Sequence, residues 1–171
     1  MTPEIFMNIS SVVIALAALI FSIVSFNRQQ ARAEHHASAS VKPLLSIKSQ
    51  NYVNLKSIRI INYGVGTAII RKAEFRRSSE GIPTNKIVDL FTLDILWESF
   101  VNIPPNRAIP SQGEILLVKE SLVHLREQGY DESQAISILE QWQQQKTGIQ
   151  VHIEYEDIYG TPMPILEQSL K

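Results

Sequence analysis

The chain has 171 residues, and 44% of them are hydrophobic, enough for one modest domain with a real core. The absence of cysteine excludes disulfides, thiolate metal sites and thiol catalysis. A net charge of −1 excludes a global field that would recruit nucleic acid, but residues 27–86 hold eleven Lys/Arg against three Asp/Glu and residues 87–171 five against thirteen.

Residues 5–26, IFMNISSVVIALAALIFSIVSF, contain no charged side chain. As a helix they would measure roughly 33 Å, about the hydrocarbon thickness of a bilayer. A cleaved signal peptide needs a positive residue ahead of a shorter apolar run and a small-x-small site close behind it. No Lys or Arg precedes this run, and the nearest A-x-A match, Ala31-Arg32-Ala33, carries an arginine and lies well beyond it. The segment therefore predicts one retained transmembrane helix. Glu4 stands before it, and Arg28, Arg32 and Lys42 follow. The positive-inside rule then puts the N-terminus outside and the C-terminal domain in the cytoplasm, at the cell (inner) membrane. Asn8, Ser11, Ala15, Ala18, Ser22 and Ser25, continued by Gln29, recur at spacings of three and four. Such a stripe of small and polar residues is either a helix-packing face or the ordinary Ser/Ala content of a span.

Residues 27–42 read as a helical stalk passing into a small polar linker. Glu34, His35 and His36 lack further ligands at helical spacing and read as solvated. From Pro43 to the end, residues 43–171, the pattern is mostly β. Strands are expected at 43–49, 55–62 and 67–77, the last with Ile69, Arg71, Ala73 and Phe75 on one face and Ala68, Ile70, Lys72 and Glu74 on the other. Residues 86–102 fit either a short helix or an irregular packed loop. A further strand is expected at 114–119, after a Pro-rich turn. Residues 131–148 carry the clearest soluble helix, N-capped by Asp131, stopped at Gly148, with Ala135, Ile136, Leu139 and Trp142 as its apolar stripe. Residues 149–157 alternate Ile149, Val151, Ile153 and Tyr155 inward against Gln150, His152, Glu154 and Glu156 outward. A turn at Asp157–Gly160 leads to a last strand around Met163–Leu166. The sum is mainly β: an N-terminal transmembrane helix, then an immunoglobulin-like β-sandwich with one or two inserted helices.

The chemical motifs are sparse. Gly64 and Gly66 lack both the third glycine of a dinucleotide fingerprint and the Gly-Lys-Ser/Thr of a P-loop. Asn62, Gly64 and Gly66 are instead expected to shape a strand bend or bulge, where positive φ is tolerated. His152, Glu154 and Glu156 fit either a divalent-ion face or the wet side of a strand. Arg71, Lys72, Arg76 and Arg77 form a local basic patch, read either as a contact for anionic lipid or an acidic partner, or as a solvated strand edge. No nucleophile motif is visible, no cofactor is implied, and no nucleic-acid partner is expected.

Several short motifs together resemble a loose group of bacterial single-pass membrane proteins of unassigned function. They are Pro43-Leu44-Leu45 after the anchor, Asn62-Tyr63-Gly64-Val65-Gly66-Thr67-Ala68, Pro110-Ser111-Gln112-Gly113-Glu114, and Tyr155-Glu156-Asp157-Ile158-Tyr159-Gly160. Thr67 stands where that group often has proline. The resemblance implies a membrane-tethered β-sandwich and no reaction. The function expected is therefore non-enzymatic: a scaffold or accessory domain presented at the membrane surface, with the lipid bilayer, membrane or membrane-proximal proteins, and a homo-oligomer through the span as partners. The alternative is a membrane-perturbing defence or toxin-like effector whose span oligomerises and is triggered through the sandwich.

Overall fold

The structure, a computed structural model, describes residues 16, 18–26, 28–29, 42–77 and 81–171. The chain divides into two units, Met1–Ser40 and Val41–Lys171. In the first, residues 18–26 and 28–29 are helical, with Leu19, Ile20, Phe21 and Phe26 exposed. Among the described residues no helix is long and apolar enough to cross a membrane. The first part of the expected span, including Asn8, Ser11 and Ala15, and most of the stalk lie outside the described residues.

The second unit is mainly β. A hairpin comes first: β1 (Leu45–Tyr52) and β2 (Leu55–Asn62) pair from Leu45↔Asn62 to Tyr52↔Leu55, turning at Val53-Asn54. β3 (Ala68–Arg76) follows, then a 3-10 turn (Ile87–Leu90) within the segment whose sequence left helix and loop open. Two short strands, β4 (Ser99–Phe100) and β5 (Arg107–Ile109), precede β6 (Glu114–Ser121). Helices α1 (Leu122–Glu127) and α2 (Glu132–Lys146) then lead to β7 (Gln150–Glu156) and β8 (Leu166–Ser169). The last strand begins three residues later than expected: Pro162 makes only an isolated bridge to Glu156, and Pro164 interrupts the expected span before the chain reaches Leu166. A proline has no N–H to offer a ladder.

Among the described residues all pairing is antiparallel, in two four-stranded sheets ordered β1-β2-β6-β4 and β5-β3-β7-β8. They bury one shared core: Leu45, Ile47, Ile58 and Ile60 from the first sheet belong to the same cluster as Ala68, Ile70, Phe75, Val151 and Ile153 from the second. The architecture is a β-sandwich. β7 follows its expected alternation, with Val151, Ile153 and Tyr155 buried. β3 does not. A register shift between Ile70 and Lys72 makes Arg71 an extra residue, so Ala68 and Ile70 point inward before it and Ala73 and Phe75 after it. One bulge moves the buried set to the other parity.

The helices close one end of this sandwich. α2 starts with a capping box in which Asp131 accepts from the Gln134 amide and the Gln134 side chain accepts from the Asp131 amide. Its buried stripe is Ala135, Leu139, Trp142 and Lys146, whereas Ile136 is only half-buried. Trp142 reaches the main core and stacks on Phe91 with ring centroids 5.4 Å apart. Leu125, Ala135 and Leu139 form a second small core between the helices. The chain enters the sandwich at the opposite end, beside Pro43.

Candidate functional site

At the helical end, β6 delivers Glu120 to the inner face, where it is fully buried. One carboxylate oxygen accepts from the Ser121 amide at 3.1 Å and lies 2.8 Å from His124 Nδ1; the other accepts from the Glu98 amide at 3.1 Å. Glu98 pairs with Lys119, while its Oε2 is buried without a partner among the described residues. Burial pushes the Glu98 carboxyl up, but the Lys119 ammonium, the Ser121 hydroxyl and His124 outweigh it and hold the group below its ordinary value. The ligand atoms of Glu98, Glu120 and His124 gather within 4.8 Å of one another, a donor set of the kind divalent cations take. Each is nevertheless already engaged in the protein. Gln128 completes the web by donating to the Leu96 carbonyl at 2.7 Å and accepting from the Leu96 amide at 3.2 Å. The cluster thus ties the 94–98 loop to β6 and α1.

Beside it lie two buried lysines. Lys56 faces Glu120 across the β2–β6 ladder and bonds Asn51, while Lys146, 2% exposed, donates to Ser49 Oγ at 3.1 Å. Burial lowers the Lys146 pKa, and the nearby Lys56 charge lowers it further; burial lowers Lys56 too, against the opposing pull of Glu140. A lysine whose folded pKa lies below its unfolded one binds fewer protons when folded. Its penalty is complete below the folded pKa and vanishes as pH rises to the ordinary lysine range. Lys146→Met is therefore expected to raise stability at neutral pH by about 1 kcal/mol. It should also flatten the alkaline rise in stability that urea titrations of the wild-type chain would show.

The outer face of the second sheet carries most of the charge read from the sequence. Arg71 pairs with Glu156, and Lys72 lies 2.9 Å from Glu74 and 4.0 Å from Glu154. Arg77 donates to the Gln145 carbonyl at 2.9 Å and to that of Leu90, fastening the end of α2 to the 3-10 turn. Arg76 lines a shallow cleft of about 300 Å³ with His152 and Glu167. The basic patch is thus interleaved with carboxylates. His152 sits between Glu154 at 3.2 Å and Glu167 at 2.9 Å, while Glu156 is turned to Arg71. The three residues of the H-x-E-x-E pattern do not converge on one point.

At the entry end, Asn62 is fully buried and makes five hydrogen bonds. Its Nδ2 donates to the carbonyls of Gly66 at 2.6 Å, Ile109 at 3.1 Å and Pro110 at 3.2 Å. Its Oδ1 accepts from the amides of Leu44 at 3.0 Å and Gly64 at 2.9 Å. It joins the entering chain, the β2–β3 connection and the β5–β6 loop. Gly64 and Gly66 occupy that connection, which passes from one sheet to the other and is not a bend within a strand. Neither has positive φ. Gly64 is required by proximity instead: a Cβ there would press on Leu44 N and Lys42 O and lie 2.6 Å from the Pro43 carbonyl carbon.

Of the expected transmembrane stripe, Ala18 and Ser22 are exposed and Ser25 half-exposed on the described helix. Sequence reasoning missed Glu98, Glu120, His124, Lys56 and Lys146. The Glu120-x-x-x-His124 spacing and the place of Lys146 one helical step beyond Trp142 were the available signals. Protein-family models, curated proteins and solved structures return no match for this chain. The fold and its sites define a β-sandwich domain whose polar clusters serve internal connections.

Proposed function

We propose that the protein is a membrane-tethered binding domain, a scaffold or accessory subunit. Residues 5–26 would anchor it, and the sandwich, immunoglobulin-like in its two antiparallel sheets, would be presented at the cytoplasmic surface. The observation that carries this reading is a 22-residue run without charge, numbered 5–26, which residues 27–42 join to a β domain that has its own core. Tethering raises the effective concentration of the domain near membrane partners, so a weak interface suffices. The small-residue stripe favours a homo-oligomer or a partner helix at the anchor.

The test is extraction of native membranes with alkaline carbonate, combined with C-terminal reporters that fluoresce only in the cytoplasm or act only outside it. Retention in the pellet with cytoplasmic fluorescence is expected, and deletion of residues 5–26 should release the chain. Release of the full chain by carbonate would end the tether reading.

A further inference from the structure

The entry end of the sandwich is unlike the rest of its surface. Its three loops, residues 63–67, 110–113 and 158–162, contain no charged residue. Two acids flank them: Asp157 is 1% exposed and accepts from the amides of Tyr159 at 2.8 Å and Thr161 at 2.9 Å, while the exposed Glu114 at the start of β6 pairs with Arg59 at 2.8 Å. Yet five large side chains stand out into solvent there: Leu44, Tyr63, Val65, Ile158 and Tyr159, each between 49% and 65% exposed. They share one end. The Tyr63 amide bonds the Leu44 carbonyl at 2.8 Å, Gly64 packs against residues 42–44, and Lys42 is close enough for its charge to act on Asp157. The β3–β7 register, starting at Ile69↔Glu156, brings the 157–161 turn beside the start of β3. The opposite end carries exposed Arg126, Glu127 and Glu132 among its apolar residues.

What covers this end follows from where the chain enters. Residues 27–42 separate the charge-free run from Pro43, which begins the sandwich at this same end. Apolar and tyrosine side chains, with the flanking Glu114 carboxylate held by Arg59, suit the headgroup–acyl boundary, where Tyr is enriched and a free carboxylate would be costly to desolvate. Exposed Lys42 at the rim adds attraction to anionic lipid.

We propose that Leu44, Tyr63, Val65, Ile158 and Tyr159 form a lipid-docking tip that seats the sandwich end-on against the bilayer. This rests on the tether reading and adds an orientation to it. The docked domain would turn its helical end, with the Glu98–Glu120–His124 cluster, away from the membrane.

The cysteine-free chain allows a direct test in the full-length protein reconstituted into phosphatidylethanolamine–phosphatidylglycerol vesicles. A polarity-sensitive fluorophore is placed at Val65→Cys, at Tyr159→Cys, or at Val53→Cys on the far hairpin turn. All three positions are exposed, so labelling leaves the core intact. Spin-labelled lipid should quench positions 65 and 159 at least about twofold more than position 53, as expected for side chains in the interfacial layer. Equal quenching in a chain that resists carbonate extraction would overturn the tip and leave the tether standing. Release by carbonate would remove both. Adding Tyr159→Asp to the Val65→Cys chain should bring quenching at 65 down toward that at 53. Unchanged quenching would show mere proximity to lipid and also overturn the tip.

Discussion

Replacing Asn62 with leucine should destabilise the sandwich by about 3–5 kcal/mol, at the upper end of what single substitutions do. The side chain is fully buried and supplies five hydrogen bonds to backbone groups of three separate segments. Leucine is of similar size but offers neither donor nor acceptor, so the Leu44 and Gly64 amides and the Gly66 and Ile109 carbonyls lose a partner at once, while the Pro110 carbonyl keeps the Gly113 amide at 2.9 Å. Each buried group left unpaired costs about 1–3 kcal/mol, and some will be rehydrated because the loops lie at the surface. Asn62→Asp separates hydrogen bonding from shape. It keeps the acceptor toward Leu44 and Gly64 but turns an oxygen toward the carbonyls of Gly66, Ile109 and Pro110. An aspartate there would have its folded pKa raised, because only the protonated form can donate. The folded state would bind the extra proton, so the variant's stability should fall as pH rises through that pKa and recover on mild acidification. Urea unfolding at neutral and mildly acidic pH checks both. A leucine variant within about 1 kcal/mol of wild type would show that Asn62 is not the hub its geometry describes.

The signals that sequence reasoning could use were local ones. β7 was legible because each inward residue is apolar and each outward one polar, and α2 because Asp131 and Gln134 form a capping box ahead of Ala135, Leu139 and Trp142. β3 was not, because its bulge depends on the register of β7 across the ladder, and Ile69, Ile70 and Arg71 read equally well in either parity. α1 escaped because six residues are too few for a periodic pattern, leaving only the Ser121 cap as a sign. The polar cluster at the helical end joins Glu98 to Glu120 across twenty-two positions of chain, a contact that only the tertiary fold creates. Asn62 and Gly64 were recognisable as shape-determining residues, but for the wrong reason: the fold asks for hydrogen bonds and room, not for positive φ.

That distinction yields the second large effect. Gly64→Ala adds one carbon, yet it would meet backbone atoms of residues 42–44 closer than real Cβ contacts occur. Backbone cannot rotate away as a side-chain tip can, so the entering chain must move. Moving it strains the 2.8 Å bond from the Tyr63 amide to the Leu44 carbonyl and the bond from the Leu44 amide to Asn62. A loss of about 3 kcal/mol is expected, typical of overpacking with broken hydrogen bonds. Gly129→Ala is the matched control. It has open space around it and a φ of +97°, so its cost is purely conformational, about 1 kcal/mol. Equal costs for the two substitutions would sink the close-approach argument. Because residues 42–44 are where the domain receives the preceding chain, the alanine variant should also be cleaved faster there in limited proteolysis, with the core protected. Faster cleavage confined to that segment would identify Gly64 as the residue that seats the entering chain.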